Sequence, residues 1–388
     1  MPAYSLRAFL LYFLRLGALG FGGPIALAGY MRRDLVEERG WIAARDYDEG
    51  LALAQLSPGP LAAQLAIYLG WVRRGLIGAA LVSVAFIGPS FLMVLALSAL
   101  YVRYGGLPWM QGAFHGIGGA VLAIIARSAF GLVKKTLQKD AFLWSIAIVT
   151  SVVTALTGAE PIALVVLAGL VAIWVRSPPR ANGPSLSSWM LPIPAVLTTG
   201  LGDSAGGHTL LQVLGYFASA GLFVFGSGLA IVPFLHGGVV EQYGWLDERQ
   251  FLDAVAVAMI TPGPVVITVA FIGYLVAGPI GGTLAAIGVF VPCFLVVVIA
   301  APLYRKHAGK GRIKDFVVGV TAGAVGSIAG AVIVLARRAI IQDGKLDLTT
   351  IVIAAVTLAA LLRLKKLPEP ALIVLAGVVG VALQRAAG

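Results

Sequence analysis

The sequence predicts an all-α polytopic membrane protein built from two inverted-topology repeats with broken, discontinuous helices. Three observations lead to this fold class. The composition is too apolar for a water-facing surface, a Pro-Gly-Pro segment occurs at matching places in the two halves, and basic loops alternate between the halves. We therefore expect a multi-pass protein of the cell (inner or plasma) membrane.

The composition separates this chain from water-soluble domains. Of its 388 residues, 59% are hydrophobic and 12% are charged, whereas about 25% of the residues of a soluble domain are charged. Apolar runs such as residues 76–102 exceed the roughly 20 residues that span hydrocarbon as a helix. The lipid bilayer is therefore an expected partner.

The basic residues indicate membrane orientation and not a nucleic-acid partner. The net charge is +11, but the Lys and Arg residues cluster between apolar runs, which is the pattern of a membrane protein with positive inner loops. The four histidines show no metal-ligand spacing, and the single Cys293 has no partner for a disulfide. We expect no nucleic acid, no metal and no cofactor.

The chain contains an internal duplication. Gly59 and Gly263 are 204 positions apart, and the same offset aligns other residues of the two halves. After a one-residue gap the match continues at an offset of 203, as in Pro89 and Pro292. The aligned pairs include Phe21-Gly22 with Phe225-Gly226, Glu37 with Glu241, Gly40-Trp41 with Gly244-Trp245, and Ser57–Pro60 with Thr261–Pro264.

The duplication sets the predicted domains. Residues 1–176 form the first repeat, residues 208–388 form the second, and residues 177–207 form a linker rich in Pro, Ser and Gly. Each repeat has six predicted helical segments, of which the first two are broken. These lie at 5–38, 46–73, 76–102, 112–135, 141–157 and 160–175, and at 208–243, 247–275, 279–303, 313–338, 347–362 and 369–385.

Loop charges predict opposite orientations for the two repeats. The turn with Arg73-Arg74 corresponds to an uncharged turn near Gly278, and the next loop, with only Arg103, corresponds to 305–314, which has five Lys or Arg residues. Inverted repeats are common in secondary transporters. Six crossings in the first half, an even number, would give both halves the same orientation in the membrane. Opposite orientations therefore require either that residues 189–201 add a crossing or that one segment per half does not cross.

The breaks predict an anion site. Proline removes a backbone donor and interrupts a helix, and the helix that restarts presents unpaired N–H groups and a positive dipole end. Four such starts near the midplane would line a cavity, because lipid cannot satisfy the freed groups. The predicted anion-binding residues are Phe21, Gly22, Gly23, Pro24, Ser57, Pro58, Gly59, Pro60, Gly226, Ser227, Gly228, Thr261, Pro262, Gly263 and Pro264.

Ionisable residues add further candidates. Arg127 lies deep in an apolar stretch and is the preferred charge partner for an anion, whereas Arg15 lies nearer a membrane face, where its side chain can snorkel. Glu37 and Glu241 recur beside the Gly-Trp pairs and are the candidates for proton coupling. Asp46 and Asp247 are predicted N-caps.

The motifs resemble the chromate transporter family in its long, two-domain form. The resembling residues are Phe21-Gly22-Gly23-Pro24, Trp41 and Ser57–Pro60, with a degenerate copy in the second half. The resemblance covers nearly the whole chain and implies transport of chromate, usually outward and conferring resistance, with sulfate as a related substrate. One departure is Leu27, since that family often has a histidine shortly after this motif.

Other functions stay open at this point. Transport of sulfate or another oxyanion, or a passive anion channel, would use the same site. A serine hydrolase built on Ser227 would need a positioned base, which the sequence does not indicate, and there is no ATP-binding loop. We expect a transporter and not an enzyme; homo-oligomerisation is left open.

The opposite orientation of the repeats predicts a labelling result. In a Cys293→Ser background, cysteines placed in the turns at 73–75 and 276–278 should react with a membrane-impermeant reagent from opposite sides of the membrane. Labelling of both from one side would contradict the inverted topology.

Overall fold

The computed structural model describes residues 5–21, 23–104, 108–157, 162–176, 207–222, 231–307, 311–342, 345–363 and 369–387. These residues are almost entirely helical, as the sequence predicts. The α-helices are α1 (Leu6–Leu19), α2 (Gly23–Met31), α3 (Ala44–Leu56), α4 (Leu61–Tyr104), α5 (Pro108–Leu137), α6 (Ala141–Thr157), α7 (Ile162–Arg176), α8 (Gly207–Leu222), α9 (Ile231–His236), α10 (Glu248–Ile260), α11 (Thr268–His307), α12 (Gly311–Ile340), α13 (Leu348–Arg363) and α14 (Glu369–Ala387).

Four short elements complete the described chain. The π-helical stretches Arg32–Glu38 and Gly237–Gln242 continue α2 and α9, and a 3₁₀ turn, Val265–Ile267, precedes α11. A two-stranded antiparallel ribbon, β1 (Ile341–Gln342) with β2 (Lys345–Leu346), connects α12 to α13. The ribbon lies between predicted helices and was not expected from the sequence.

Helices α4 and α11 each reverse direction at a glycine. Gly75 and Gly278 have positive φ values of +57° and +64°, and the residue before each is also non-helical. A Cβ added to Gly70 would lie 2.5 Å from the carbonyl oxygen of Gly78, although residues eight apart in a straight helix are about 12 Å apart. Each of these two elements is therefore a helical hairpin, with its turn where the sequence predicts one.

The backbone of the first repeat recurs in the second. Gly40 and Gly244 follow the two π-helical stretches with φ values of +59° and +58°. The Trp41 N–H donates to Leu35 O over 2.8 Å, and the equivalent Trp245 N–H donates to Val239 O over 2.8 Å. The duplication in sequence thus corresponds to a duplication in local structure.

The two halves exchange their terminal helices. Helices α6 and α7 of the first half pack on α12, whereas α13 and α14 of the second half pack on α5. Small residues allow close contact: a Cβ on Gly330 would lie 2.9 Å from Thr154 Cβ, and Gly116 lies directly against the Ala376 carbonyl group. Neither half is therefore packed only against itself.

The outer faces are apolar and exposed. Within the described ranges, four helices are long and apolar enough to cross a membrane, Leu61–Tyr104, Trp109–Lys134, Val265–Pro302 and Asp315–Arg337, and further apolar helices are shorter. Leu156 is 81% exposed and Trp174 is 71% exposed. Such surfaces are typical of helices that face lipid, and the chain is a multi-pass membrane protein.

The predicted N-caps have different outcomes. Asp247 is confirmed: its side chain accepts from the Gln250 N–H over 2.7 Å, and the Gln250 side chain accepts from the Asp247 N–H. Asp46 is wrong as a cap, because α3 begins two residues earlier, after the extended Ala43. Asp46 lies instead in the first helical turn, where its negative charge interacts favourably with the positive end of the helix dipole.

The hairpin contact predicts a position-specific loss of stability. In Gly78→Ala, the new methyl group would overlap the Gly70 carbonyl oxygen, so the free energy of unfolding should fall by about 1–3 kcal/mol. The control is Gly131→Ala, since a Cβ there meets nothing within 4 Å. Melting of the detergent-solubilised variants checks this, and equal melting temperatures would contradict the hairpin packing.

Candidate anion site at the Pro-Gly-Pro segments

The first Pro-Gly-Pro segment separates α3 from α4. The Ser57 N–H closes α3 on Leu53 O over 2.9 Å, and the first N–H bonded at the start of α4 is that of Gln64, to Pro60 O, also over 2.9 Å. Gly59 has a φ of +135°, a conformation that favours glycine. The proline and glycine residues thus stop one helix and start the next within four positions.

The second segment has the same design. The Thr261 N–H closes α10 on Val257 O over 3.1 Å, and Gly263 has a φ of +96°. The Ile267 N–H then bonds Pro264 O over 2.9 Å in the 3₁₀ turn. Ser57, Thr261 and both glycines are buried.

Each segment contacts the opposite half of the chain. The Gly263 N–H donates to Gly20 O over 2.9 Å, so the second Pro-Gly-Pro segment is bonded to the residue before Phe21. A Cβ on Gly263 would lie 2.5 Å from Ser90 Oγ, and a Cβ on Gly59 would lie 3.0 Å from Cys293 Sγ. Ser90 and Cys293 are equivalent positions of the repeat, so the two contacts are related by the duplication.

The start of α4 presents buried donors without an acceptor. Among the described residues, no acceptor bonds the backbone N–H groups of Gly59, Leu61, Ala62 and Ala63, and these residues are buried. The Ser57 hydroxyl likewise has no hydrogen bond within the described part of the chain, whereas the Thr261 hydroxyl donates back to Val257 O over 2.5 Å. An unpaired buried N–H costs about 1–3 kcal/mol, so this helix start favours an acceptor such as an anion.

Gln64 belongs to this site, although sequence reasoning missed it. The side chain is 0% exposed, its Nε2 donates to Pro58 O, and its Oε1 has no hydrogen-bond partner in the part of the chain that the structure describes. The amide thus fixes the carbonyl group of the Pro-Gly-Pro segment beside the unpaired N–H groups. A polar residue on a continuous apolar face one turn after the break was the signal available in the sequence.

The structure describes part of the predicted Phe-Gly-Gly-Pro site. Gly23 has a φ of +75°, α2 begins at this residue, and Pro24 follows in the first turn. Phe21 is exposed, and Leu27 is buried within contact range of Gly20. Gly22, Gly226, Ser227 and Gly228 lie outside the described residues, as do residues 177–206 of the predicted linker, including 189–201.

Arg127 is half-buried in α5 and interacts electrostatically with Glu369 at the start of α14. No hydrogen bond or ion pair joins Arg127 to the described residues of either Pro-Gly-Pro segment. Its role as a charge partner for an anion stays a prediction. Arg15 is exposed on α1, a position from which it can reach a membrane face.

Glu37 and Glu241 both lie in π-helical stretches and both face a basic residue. Glu37 is 3.4 Å from Arg32, and Glu241 is 3.4 Å from His236. The Glu37 side chain is 57% exposed and the Glu241 side chain 19%. Their role in proton coupling stays a prediction, with the second-half residue in the more buried setting.

Comparison with known proteins identifies the family. A family model described as chromate transporter matches residues 7–173 and again residues 211–381. The chain belongs to the chromate transporter family. The family match covers each half separately, in agreement with the duplication read from the sequence.

Named relatives of this family cover nearly the whole chain. The chain is 55% identical over 381 residues to the "chromate transport protein" of Cupriavidus metallidurans, covering 98% of this chain and 93% of that one. It is 52% identical over 387 residues to a "probable chromate transport protein" of Synechococcus elongatus, covering 98% and 96%. A "chromate transport protein" of Pseudomonas aeruginosa is 32% identical, covering 87% and 82%. No solved structure matches the chain.

The crossed contact at Gly59 predicts a disulfide between the halves. In Gly59→Cys, the new Cβ would lie 3.0 Å from Cys293 Sγ and would displace the Gln64 amide. Mild oxidation should still join the two cysteines, despite a backbone strain of about 1–3 kcal/mol. With a protease site inserted within 177–206, the cleaved halves should stay together on a non-reducing gel. Halves that separate, as they must in the Gly59→Cys/Cys293→Ser control, would contradict this placement of the segment.

Proposed function

We propose that this chain is a secondary transporter that moves chromate out of the cell across the inner or plasma membrane, and so confers chromate resistance. The observation that carries the proposal is the buried start of α4, where Gly59 and residues 61–63 hold four N–H groups that no acceptor bonds within the described ranges. Relatives at 55% and 52% identity are named chromate transport proteins, the second as a probable one, which supports chromate as the anion.

The anion is bound by backbone and hydroxyl donors. A tetrahedral dianion at the start of α4 accepts hydrogen bonds from the unpaired N–H groups and from Ser57, while the helix dipole stabilises its charge. Gly59 leaves room for the Gln64 amide and for Cys293, which fill the space that a side chain at this position would need. Arg127 adds a positive charge from α5, partly balanced by Glu369.

Two inverted repeats with broken helices explain how such a site reaches both sides of the membrane. In transporters of this construction, the substrate lies between the repeats near the midplane, and one repeat moves against the other. The crossed contacts Gly263–Gly20 and Gly59–Cys293 support this arrangement, because they place each Pro-Gly-Pro segment at the boundary between the halves.

A passive anion channel is the second candidate, since it would use the same donors. The burial of Ser57, Gly59 and Pro60 favours a transporter, because an open channel needs a continuous water-filled path. Sulfate or another oxyanion is the alternative substrate, because helix starts recognise shape and charge and discriminate weakly between dianions of one geometry.

Flux into proteoliposomes tests the function. Purified protein should carry chromate, and excess sulfate should compete more strongly than phosphate, which is partly protonated at neutral pH. Arg127→Gln should reduce the flux about tenfold or more, as expected for a lost charged hydrogen bond of about 1.5–3 kcal/mol. Arg15→Gln should leave it near the wild-type level.

Two controls sharpen this experiment. Glu369→Gln, alone and combined with Arg127→Gln, separates a loss of anion binding from the effect of an unpaired carboxylate. Absence of chromate and sulfate flux in the wild type would defeat the assignment, and flux driven only by the anion's own gradient would favour the channel.

A further inference from the structure

The strongest cluster of ionisable groups outside the anion site surrounds His236. This residue ends α9, is 2% exposed, and lies between two carboxylates. Its Nε2 lies 2.8 Å from Glu248 Oε2 on α10, and its Nδ1 lies 3.4 Å from Glu241 Oε1 on the following π-helical stretch. The ring also packs edge-on against Phe251 of α10, with centroids 5.2 Å apart.

The first half has a fixed charge at the same position. Arg32 is the equivalent of His236 at the offset of 204, and it too lies between two carboxylates. It is 3.4 Å from Glu37, the counterpart of Glu241, and 2.9 Å from Asp48 on α3. The longer arginine reaches one turn further along the next helix than the histidine does. One repeat thus has an arginine between two carboxylates, and the other has a histidine, the residue type that proteins use as a proton switch.

The second half lacks the other charges that surround Arg32 in the first half. Residues 32–39 contain six charged side chains, whereas the equivalent 236–243 contain one carboxylate, Glu241, together with His236. The first cluster is about half exposed, while the His236 side chain is 3% exposed. Because a buried charge is costly without a partner, the retained pair indicates a specific role.

Both ring nitrogens of His236 face carboxylate oxygens. A neutral imidazole carries a proton on one nitrogen only, so its other nitrogen would present a lone pair to an anionic oxygen. With a proton on each nitrogen, the ring would present an N–H to both carboxylates, so adding or removing one proton here would change the attraction between the π-helical stretch and α10.

Among the described side chains of the other elements packed against His236, none places a further charge within ion-pair distance of its ring. From α8, the Tyr216 hydroxyl donates to Phe234 O and Leu235 O, just before His236. The described ionisable side chains of α12, which also packs on α9, are Asp315 and Arg337, and neither lies within ion-pair distance of His236. Arg249, next to Glu248, is exposed.

We propose that His236, with Glu241 and Glu248, binds the proton whose movement is coupled to anion transport. The proton arrives from water on one side of the membrane and returns to water on the other. Its binding ties the π-helical stretch to α10, the helix that ends at Thr261 and the second Pro-Gly-Pro segment. In the first half, Arg32 makes the equivalent contacts, with Glu37 and with Asp48 on α3. The inference rests on the proposed transport function.

The steady-state accumulation ratio of chromate in proteoliposomes tests this coupling. For one coupled proton, a pH difference of one unit should change the ratio by about tenfold, because one pH unit is about 1.4 kcal/mol. His236→Arg copies the first half and cannot titrate, so its ratio should not respond to the pH difference. If His236 had a purely structural role, its substitution would change how fast chromate reaches the steady state but would not change the response of the accumulation ratio to the pH difference.

His115→Gln is the matched control. His115 is also a histidine in an ion pair, 3.3 Å from Asp347 and 43% exposed, and its variant should respond to the pH difference as the wild type does. His236→Gln is a second variant that removes the proton site without adding charge, and it should also lose the response.

The outcomes separate this proposal from the transport function. A wild type without flux would defeat the proposed function itself. A wild type with flux but no response to the pH difference, or a His236→Arg that responds like the wild type, would overturn the proton site. Variants that insert but carry nothing would also count against it, because the first half accommodates an arginine at this position.

Discussion

The hydrogen bond from the Gly263 N–H to Gly20 O is the interaction on which the arrangement of the two halves depends. A chain that interrupts its helices in an apolar interior must find partners for the freed backbone groups within the protein. Here the partner of one interruption is the end of α1, in the other half, and the contact of Gly59 with Cys293 is its counterpart. The breaks thus interrupt the helices and also form contacts that join the two repeats.

The two halves resemble each other more closely in backbone conformation than in the side chains at equivalent positions. Positive φ values recur at Gly75 and Gly278, because a reversal of this kind needs a left-handed residue whatever surrounds it. Side chains at equivalent positions are free to differ: Arg39 lies 4.6 Å from the Trp41 ring, while its equivalent Tyr243 stacks on Trp245 with centroids 4.4 Å apart.

The sequence predicted local features well and long-range ones poorly. Apolar periodicity, proline and glycine act within a few residues, so the bounds of the helices and the hairpin turns near Gly75 were predictable. The electrostatic interaction of Arg127 with Glu369, the hydrogen bond from Gln64 to Pro58 and the two carboxylates around His236 depend on tertiary contacts, and no periodicity encodes those. Asp46 failed as a cap because Ala43, an unlikely cap residue, already adopts the extended conformation.

The two Pro-Gly-Pro segments are unequal as anion sites. In the described structure, the first offers four unpaired N–H groups and the free hydroxyl of Ser57, whereas in the second the Gly263 N–H is bonded to Gly20 and the Thr261 hydroxyl to Val257. If the breaks bind an anion as proposed, the start of α4 therefore offers it more donors than the second segment does. Since the second half also has the His236 cluster at the other end of α10, our two proposals assign different tasks to the two repeats: anion binding mainly to the first, and proton binding to the second.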